Sequence, residues 1–209
     1  MIKALISYDN QDHALGAYFE KSFVDLKSRI KNPEVTPDCL DGSMCTFNHI
    51  NNCITAYNAD QFVFVAFSHG DDDCLHTSSE SYVDSTNSSS FKNSLFYSTA
   101  CCCSSILGPE LIENGCFSFI GYRDKVYIHP DYHSDFVDCE IHAIVEFLNT
   151  EITIGDAYKR MHHKYDETIL RLASGSIVDT IVASTLVDNQ SLLTILGKKD
   201  LTLSDLDSD

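Results

Sequence analysis

The first apolar run of this chain, residues 2–8 (IKALISY), stops at Asp9-Asn10 and predicts a buried strand that ends in a polar loop. Ala14, Leu15, Tyr18, Phe19, Phe23, Leu26 and Ile30 then recur at helical spacing, and Pro33 and Pro37 end the pattern, so a long amphipathic helix is expected. A brief strand fits near Val35. Met44, Phe47, Ile50, Ile54 and Tyr57 share one face of a second predicted helix. QFVFVAF (61–67) is a continuous run of β-branched and aromatic residues, the pattern of a strand buried on both faces of a parallel sheet. It ends directly on Ser68-His69-Gly70.

Residues 71–93 are rich in Asp, Ser, Thr and Asn with little periodicity, which predicts a long loop or mobile hairpin. Such a segment could order only when a partner or substrate docks and so act as an activation element. SLFYST (94–99) predicts a strand leading into Ala100-Cys101, followed by a short helix through Ile106, Leu107, Leu111 and Ile112 that stops at Asn114-Gly115. CFSFIG (116–121) reads as a further strand. Helical patterns come next at Phe136 to Leu148, Ile154 to Leu172 and Ile177 to about Leu186, then an apolar run LLTIL (192–196) that could form an edge strand, and an acidic tail from Ser204 to Asp209. The alternation predicts a doubly wound or three-layer α-β-α sandwich with a mostly parallel central sheet, one domain over residues 1–203 with the tail at 204–209.

Composition narrows the function classes. The 209 residues suffice for one substantial core, and 44% apolar with 22% charged residues is a globular balance. The formal charge of −17 repels phosphate backbones and anionic lipid, which argues against direct nucleic-acid or membrane partners; it would favour a basic partner segment, although surplus carboxylates commonly serve solubility alone. Nine cysteines, three of them consecutive at Cys101, Cys102 and Cys103, do not suit a disulfide framework. The N-terminal apolar run is too short for a signal peptide, and no segment approaches the ~18 apolar residues of a membrane span, so a reducing cytoplasmic setting is expected.

In an open parallel sheet, reactive groups collect at the carboxyl ends of the strands. His69 ends one predicted core strand and Cys101 the next, so an imidazole and a thiol are expected at one sheet edge. An imidazole can take the thiol's proton and later protonate a leaving amine, the requirements of acyl transfer. The backbone N–H groups of Gly70 and Cys101 are candidates for the oxyanion, and helix onset soon after Cys101 would add partial positive charge there.

The segments VFVAFSHG (63–70), LFYSTAC (95–101) and LIENGCFSFIG (111–121) resemble the core of the caspase-like cysteine peptidases, in particular the CHAT-type branch near separase, gingipain and legumain. TIGDAYKRMHHKY (153–165) is similar to the helix that comes next in CHAT domains, and LLTILGKKDLTL (192–203) to their closing strand and turn. Two positions depart from the pattern: Cys102, where relatives vary, and Gly121-Tyr122-Arg123-Asp124 in place of a Trp-containing turn. The resemblance implies a cysteine endopeptidase with the dyad His69 and Cys101 and no metal or organic cofactor. It further implies Asp9 as a candidate for the primary specificity pocket, with Arg123 or Asp124 as the opposite wall, leaving the preferred residue before the scissile bond open. A stand-alone module of this kind would suit a prokaryotic antiviral defence or cell-death system, acting on a protein or peptide substrate and controlled by a partner in trans.

Each candidate has a plainer reading. His69 could be a satisfied loop histidine, and Asp9 a turn or capping aspartate. Cys102 and Cys103 read as small hydrophobes packed under the loop, with Cys102 the substitute nucleophile should the register shift. A zinc site drawing on the three cysteines with His69, His162 or His163 conflicts with the usual two-to-four-residue spacing of paired ligands, and Asp71-Asp72-Asp73 lacks a calcium-loop pattern. The fold could also serve as a catalytically inert scaffold or binding subunit, or as a flavodoxin-like or signalling module.

Overall fold

The computed structural model describes residues 1–57 and 61–207. In chain order the elements are β1 (Ile2–Tyr8), α1 (Gly16–Arg29), β2 (Val35–Leu40), α2 (Phe47–Ala56), β3 (Phe62–Phe67), β4 (His69–Gly70), β5 (Leu75–His76), β6 (Ser81–Val83), β7 (Ser94–Ser98), α3 (Leu107–Glu113), β8 (Ser118–Tyr122), α4 (His133–Glu140), α5 (His142–Asn149), α6 (Ile154–Ala173), α7 (Ile177–Leu192) and β9 (Leu193–Gly197).

The central sheet has the order β2-β1-β3-β7-β8-β9. Five strands run parallel, and only the edge strand β9 is antiparallel to its neighbour β8. Alternation along β3 explains the layering, because successive side chains of a strand point to opposite faces. Val63, Val65 and Phe67 join one core with residues of α1 and α4 to α7, whereas Phe62, Phe64 and Ala66 join a second with residues of α2, α3 and the 75–91 segment. The result is a three-layer α-β-α sandwich with a mostly parallel sheet, as the hydrophobic pattern predicts.

Several local expectations need correction. Of the two alternatives for residues 71–93, the segment is hairpin-like and not a long open loop: β4, β5 and β6 form a small antiparallel sheet, and Leu75, Tyr82, Val83 and Phe91 are fully buried. Four large apolar side chains within a polar stretch, without regular spacing, anchor it to the main sheet. The 136–148 pattern is broken at Ile141 into α4 and α5, and α7 continues past Leu186 to Leu192. Pro37 lies inside the edge strand β2, where a missing ladder donor is tolerated. The expected tail packs instead of trailing: Leu206 is buried, and the N-terminal ammonium lies 2.6 Å from the Asp207 carboxylate, while residues 208–209 lie outside the described residues.

Candidate active site

The chain switches direction between β1 and β3, going to β2 on one side and to β7 on the other, and crevices form at such switch points. Three neighbouring strands deliver side chains to this edge: Asp12 comes after β1, His69 after β3 and Cys101 after β7. The β3–β7 register runs from Phe62↔Ser94 to Ala66↔Ser98, and the Thr99 amide extends the ladder by donating to the Ala66 carbonyl (3.2 Å). His69 and Cys101 line one narrow cavity of about 50 Å³, whose walls include Phe19, Val126, Ile128 and Glu140.

The imidazole of His69 is held from several sides. Its Nε2 lies 3.2 Å from Asp12 Oδ2, its ring meets Phe19 edge-on at 5.4 Å, and it stacks on His76 at 5.8 Å. A neutral imidazole that donates Nε2–H to Asp12 keeps its basic lone pair on Nδ1. Asp12 is itself fixed, since its Oδ1 accepts from the amides of Ala14 (2.9 Å) and Leu15 (2.6 Å) at the entry to α1. Burial opposes its ionisation, but these two amides and the imidazole outweigh that effect and hold the carboxyl below its ordinary range.

Cys101 is half-buried, and its Sγ accepts from the Val126 amide at 3.4 Å. Burial pushes the thiol up from its ordinary value, the Val126 amide partly offsets this, and the Glu140 charge adds to the rise. Cys101 is therefore held as a thiol, and a base would have to take its proton before it could act as a nucleophile.

Gly70 ties the histidine segment to the cysteine segment. A Cβ on Gly70 would stand 2.8 Å from Ala100 Cβ and 3.0 Å from the Cys101 carbonyl oxygen, so only glycine permits this approach. The Asp71 amide donates to the Cys74 carbonyl, which marks that pair as hydrogen-bonded. Antiparallel ladders alternate, so the Gly70/Leu75 pair is not hydrogen-bonded and the Gly70 N–H points away from β5. Among the described residues, no acceptor is paired with the Cys101 amide.

The three consecutive cysteines diverge. Cys102 has a left-handed backbone (φ 60°), which turns it out of the His69 cavity toward the side lined by Asp71, Asp72, Asp73 and Lys125. Its half-exposed position corrects the expectation that it packs under the loop. Cys103 is fully buried, donates toward the Ala100 carbonyl (3.3 Å), and has its thiol pushed up to about 12 by burial. Among the described residues, no group of three or more His, Cys, Asp or Glu side chains is placed to hold a metal ion.

The other expected site residues lie apart from the cavity. Asp9 is buried beneath Gly42, where a Cβ would come within 2.8 Å of its Oδ1, and it does not line the cavity. Arg123 is exposed and donates through Nη2 to the Ser191 carbonyl (2.8 Å), at the junction of α7 and β9. Asp124 is also exposed, its carbonyl accepting from the Cys102 amide. The wall expected from these two comes from Val126 and Ile128 instead. The expected helix onset beside Cys101 is displaced too, since α3 begins only at Leu107.

Asp12 and Glu140 join the site without being expected from the sequence. Asp12 sits in a polar turn where side-chain pairing has no local sequence signature. Glu140 does have one: it occupies the apolar face of α4, in register with Phe136 and Val137, where a carboxylate is out of place.

No protein-family model matches the sequence, and a search of curated proteins finds no match. Solved structures with a similar chain path include an inactive zymogen C11 protease from Parabacteroides distasonis, at 13% identity and a TM-score of 0.42, covering 60% of this chain and 49% of that one. Another is a secreted C11 cysteine protease from Bacteroides thetaiotaomicron in complex with an irreversible peptide inhibitor, at 11% identity and a TM-score of 0.44, covering 90% of this chain and 57% of that one. The chain thus spans about half the length of these proteases. Among the described residues, no helix is long and apolar enough to cross a membrane.

Proposed function

We propose that this chain is a cysteine endopeptidase of the caspase-like kind, with Cys101 as nucleophile and His69 as general base and then general acid. The observation that carries the reading is the shared cavity at the carboxyl ends of β3 and β7, which both side chains line. Cys101 Sγ attacks the scissile carbonyl as its proton passes to His69 Nδ1, and the imidazolium then protonates the departing amine. Water, deprotonated by the same imidazole, hydrolyses the thioester. Asp12 orients the ring and balances the imidazolium charge, the part a carboxylate plays in acyl-transfer triads. The amides of Gly70 and Cys101 stabilise the oxyanion.

The remaining features of the reading rest on the CHAT-type resemblance and on composition. The substrate is a protein or peptide, control comes from a partner protein in trans, and the setting is a cytoplasmic prokaryotic defence or cell-death system. The acidic charge disfavours direct contact with nucleic acid or anionic membrane.

The test is incubation with a peptidyl ketone electrophile, alone and with candidate activating partners, and then peptide mapping. Modification of Cys101 that is lost in His69→Ala supports the enzyme. A protein that stays unmodified under every condition while binding a basic partner would instead be an inert scaffold.

A further inference from the structure

The last helix carries apolar side chains on its outer face as well as on its inner one. Val182, Ala183 and Leu186 of α7 pack into the core, while Ile177, Val178 and Ile181 stand outside it, Ile177 83% and Ile181 57% exposed. Ile177 and Ile181 lie one turn apart and Val178 sits three residues before Ile181, so the three form one cluster over the first turns of the helix. Leu170, 72% exposed, adds a fourth apolar side chain in the last turn of the preceding helix α6. A helix apolar all round is normally buried, and an exposed apolar cluster on a charged chain marks a contact surface.

The charges around this face narrow what covers it. α7 contains no lysine or arginine, and its only charged residues are Asp179 and Asp188. Asp188 lies about two turns beyond Ile181 on the same stripe, exposed, with no partner for its carboxylate among the described residues. On α6, Asp166 and Glu167 are exposed as well, and Arg171 is already paired with Asp135. These acids, on a chain of formal charge −17, repel a second copy and an anionic membrane alike. They complement an amphipathic helix whose apolar stripe is flanked by lysine or arginine.

The same helix holds one wall of the cavity that His69 and Cys101 line. Asn189, fully buried, clamps the Tyr127 backbone: its Nδ2 donates to the carbonyl (2.7 Å) and its Oδ1 accepts from the amide (3.1 Å). One residue earlier, Val126 lines the cavity, and its amide donates to Cys101 Sγ (3.4 Å). A load on α7 is thus passed through two contacts to the group that touches the sulfur.

We propose that the outer face of α7 is the docking surface for a basic amphipathic helix of a partner protein, and that the docked helix quickens reaction at Cys101 by fixing Asn189 and the Val126 amide. The control of Cys101 rests on the peptidase reading above; the docking itself does not.

The probe is a synthetic amphipathic peptide of leucine and lysine with the 16-residue length of α7, and its control replaces lysine with glutamate. Binding is read by fluorescence anisotropy at ~0.15 M salt, where attraction between distant exposed charges is screened. Wild type should bind the lysine peptide saturably and not the glutamate one. Ile181→Asp should weaken binding at least about tenfold, the loss expected from one apolar anchor. Val24→Asp on α1, 52% exposed, should leave it unchanged. Attraction by charge alone predicts tighter binding by both variants, and that result, or no saturable binding, overturns the docking surface. A wild-type dimer that Ile181→Asp disperses, or binding to phosphatidylserine vesicles that Ile181→Asp abolishes, would give the face to another occupant and overturns it too.

With the lysine peptide at saturation, modification of Cys101 by a peptidyl ketone should quicken about fivefold or more. Asn189→Ala should bind the peptide equally and lose the acceleration. An unchanged wild-type rate overturns the control of Cys101 even if that variant does not fold. A Cys101 that no ketone modifies, with or without peptide, overturns the peptidase reading, and the anisotropy still decides the docking.

Discussion

His69 Nε2 stands 3.2 Å from Asp12 Oδ2, and the other oxygen of the same carboxylate accepts from the Ala14 and Leu15 amides in the turn that leads into α1. The imidazole is thereby tied to the turn ahead of the first helix, so the orientation of the ring and the shape of that turn depend on one side chain. Asp12→Asn keeps an oxygen for these two amides but removes the charge behind the ring. It should cut the rate of Cys101 modification by about 10²-fold with the melting temperature nearly unchanged, whereas Asp12→Ala should lose a further ~1 kcal/mol of stability with the turn hydrogen bonds. Labelling kinetics and thermal unfolding of the two variants check this, and equal rates for Asp12→Asn and wild type would remove Asp12 from the mechanism.

Gly70 is the second structural hinge of the site. Gly70→Ala places a methyl against Ala100 and the Cys101 carbonyl, so β4 and the cysteine loop have to separate. The expected result is a loss of about 1–3 kcal/mol in urea unfolding together with a slower modification of Cys101. A fully stable and fully reactive variant would show that the close approach is dispensable.

Much of this architecture is legible in the sequence, and the reasons are local. QFVFVAF is apolar at every position because β3 is covered on both faces, and the strand ends where Ser68-His69-Gly70 begins. His69 and Cys101 can be placed on one edge because two adjacent parallel strands release the chain on the same side of the sheet. Asp9 does not reach this cavity, and nothing in Asp9-Asn10-Gln11-Asp12 reveals which of the two aspartates turns toward His69; the turn buries the first under Gly42 and presents the second. Arg123 and Asp124 stay outside the cavity, because the chain after β8 is pinned to Leu192 and Cys102 before it reaches the cavity at Val126. The 71–93 segment misleads because its anchors Leu75, Tyr82, Val83 and Phe91 have no period for a pattern to detect.

Cys102 separates nucleophile from neighbour. Its left-handed φ of 60° is costly for a residue with a Cβ, so Cys102→Gly should be stabilised by about 1 kcal/mol. The same variant should leave modification at Cys101 unchanged, because Cys102 lines the acidic side and not the His69 cavity. Differential scanning calorimetry and peptide mapping read the two effects. Loss of labelling in Cys102→Gly would reassign the reactive thiol.

Glu140 makes stability depend on pH in an unusual direction for a carboxylate. Its folded-state value of about 8 lies above the ordinary 4.5, so between those values the folded chain holds a proton that the unfolded chain has released. That contribution to stability is fully present below about 4.5 and declines by up to ~1.4 kcal/mol per pH unit as pH rises toward 8, then becomes constant. Glu140→Gln lacks this decline, so the stability of wild type relative to the variant should fall steadily in urea unfolding series between about pH 5 and 8. Parallel pH profiles would mean that Glu140 is not a buried neutral acid.

The proposed peptidase chemistry comes down to the reaction of one thiol assisted by one ring. Wild type and His69→Ala are exposed to the same set of peptidyl ketones near neutral pH, and the modified residue is located by mass spectrometry. The expected result is modification at Cys101 in wild type, slower by about 10²-fold or more in the variant because a buried thiol then keeps its proton. Equal rates in the two proteins, or modification at Cys102 or another cysteine in place of Cys101, would contradict it.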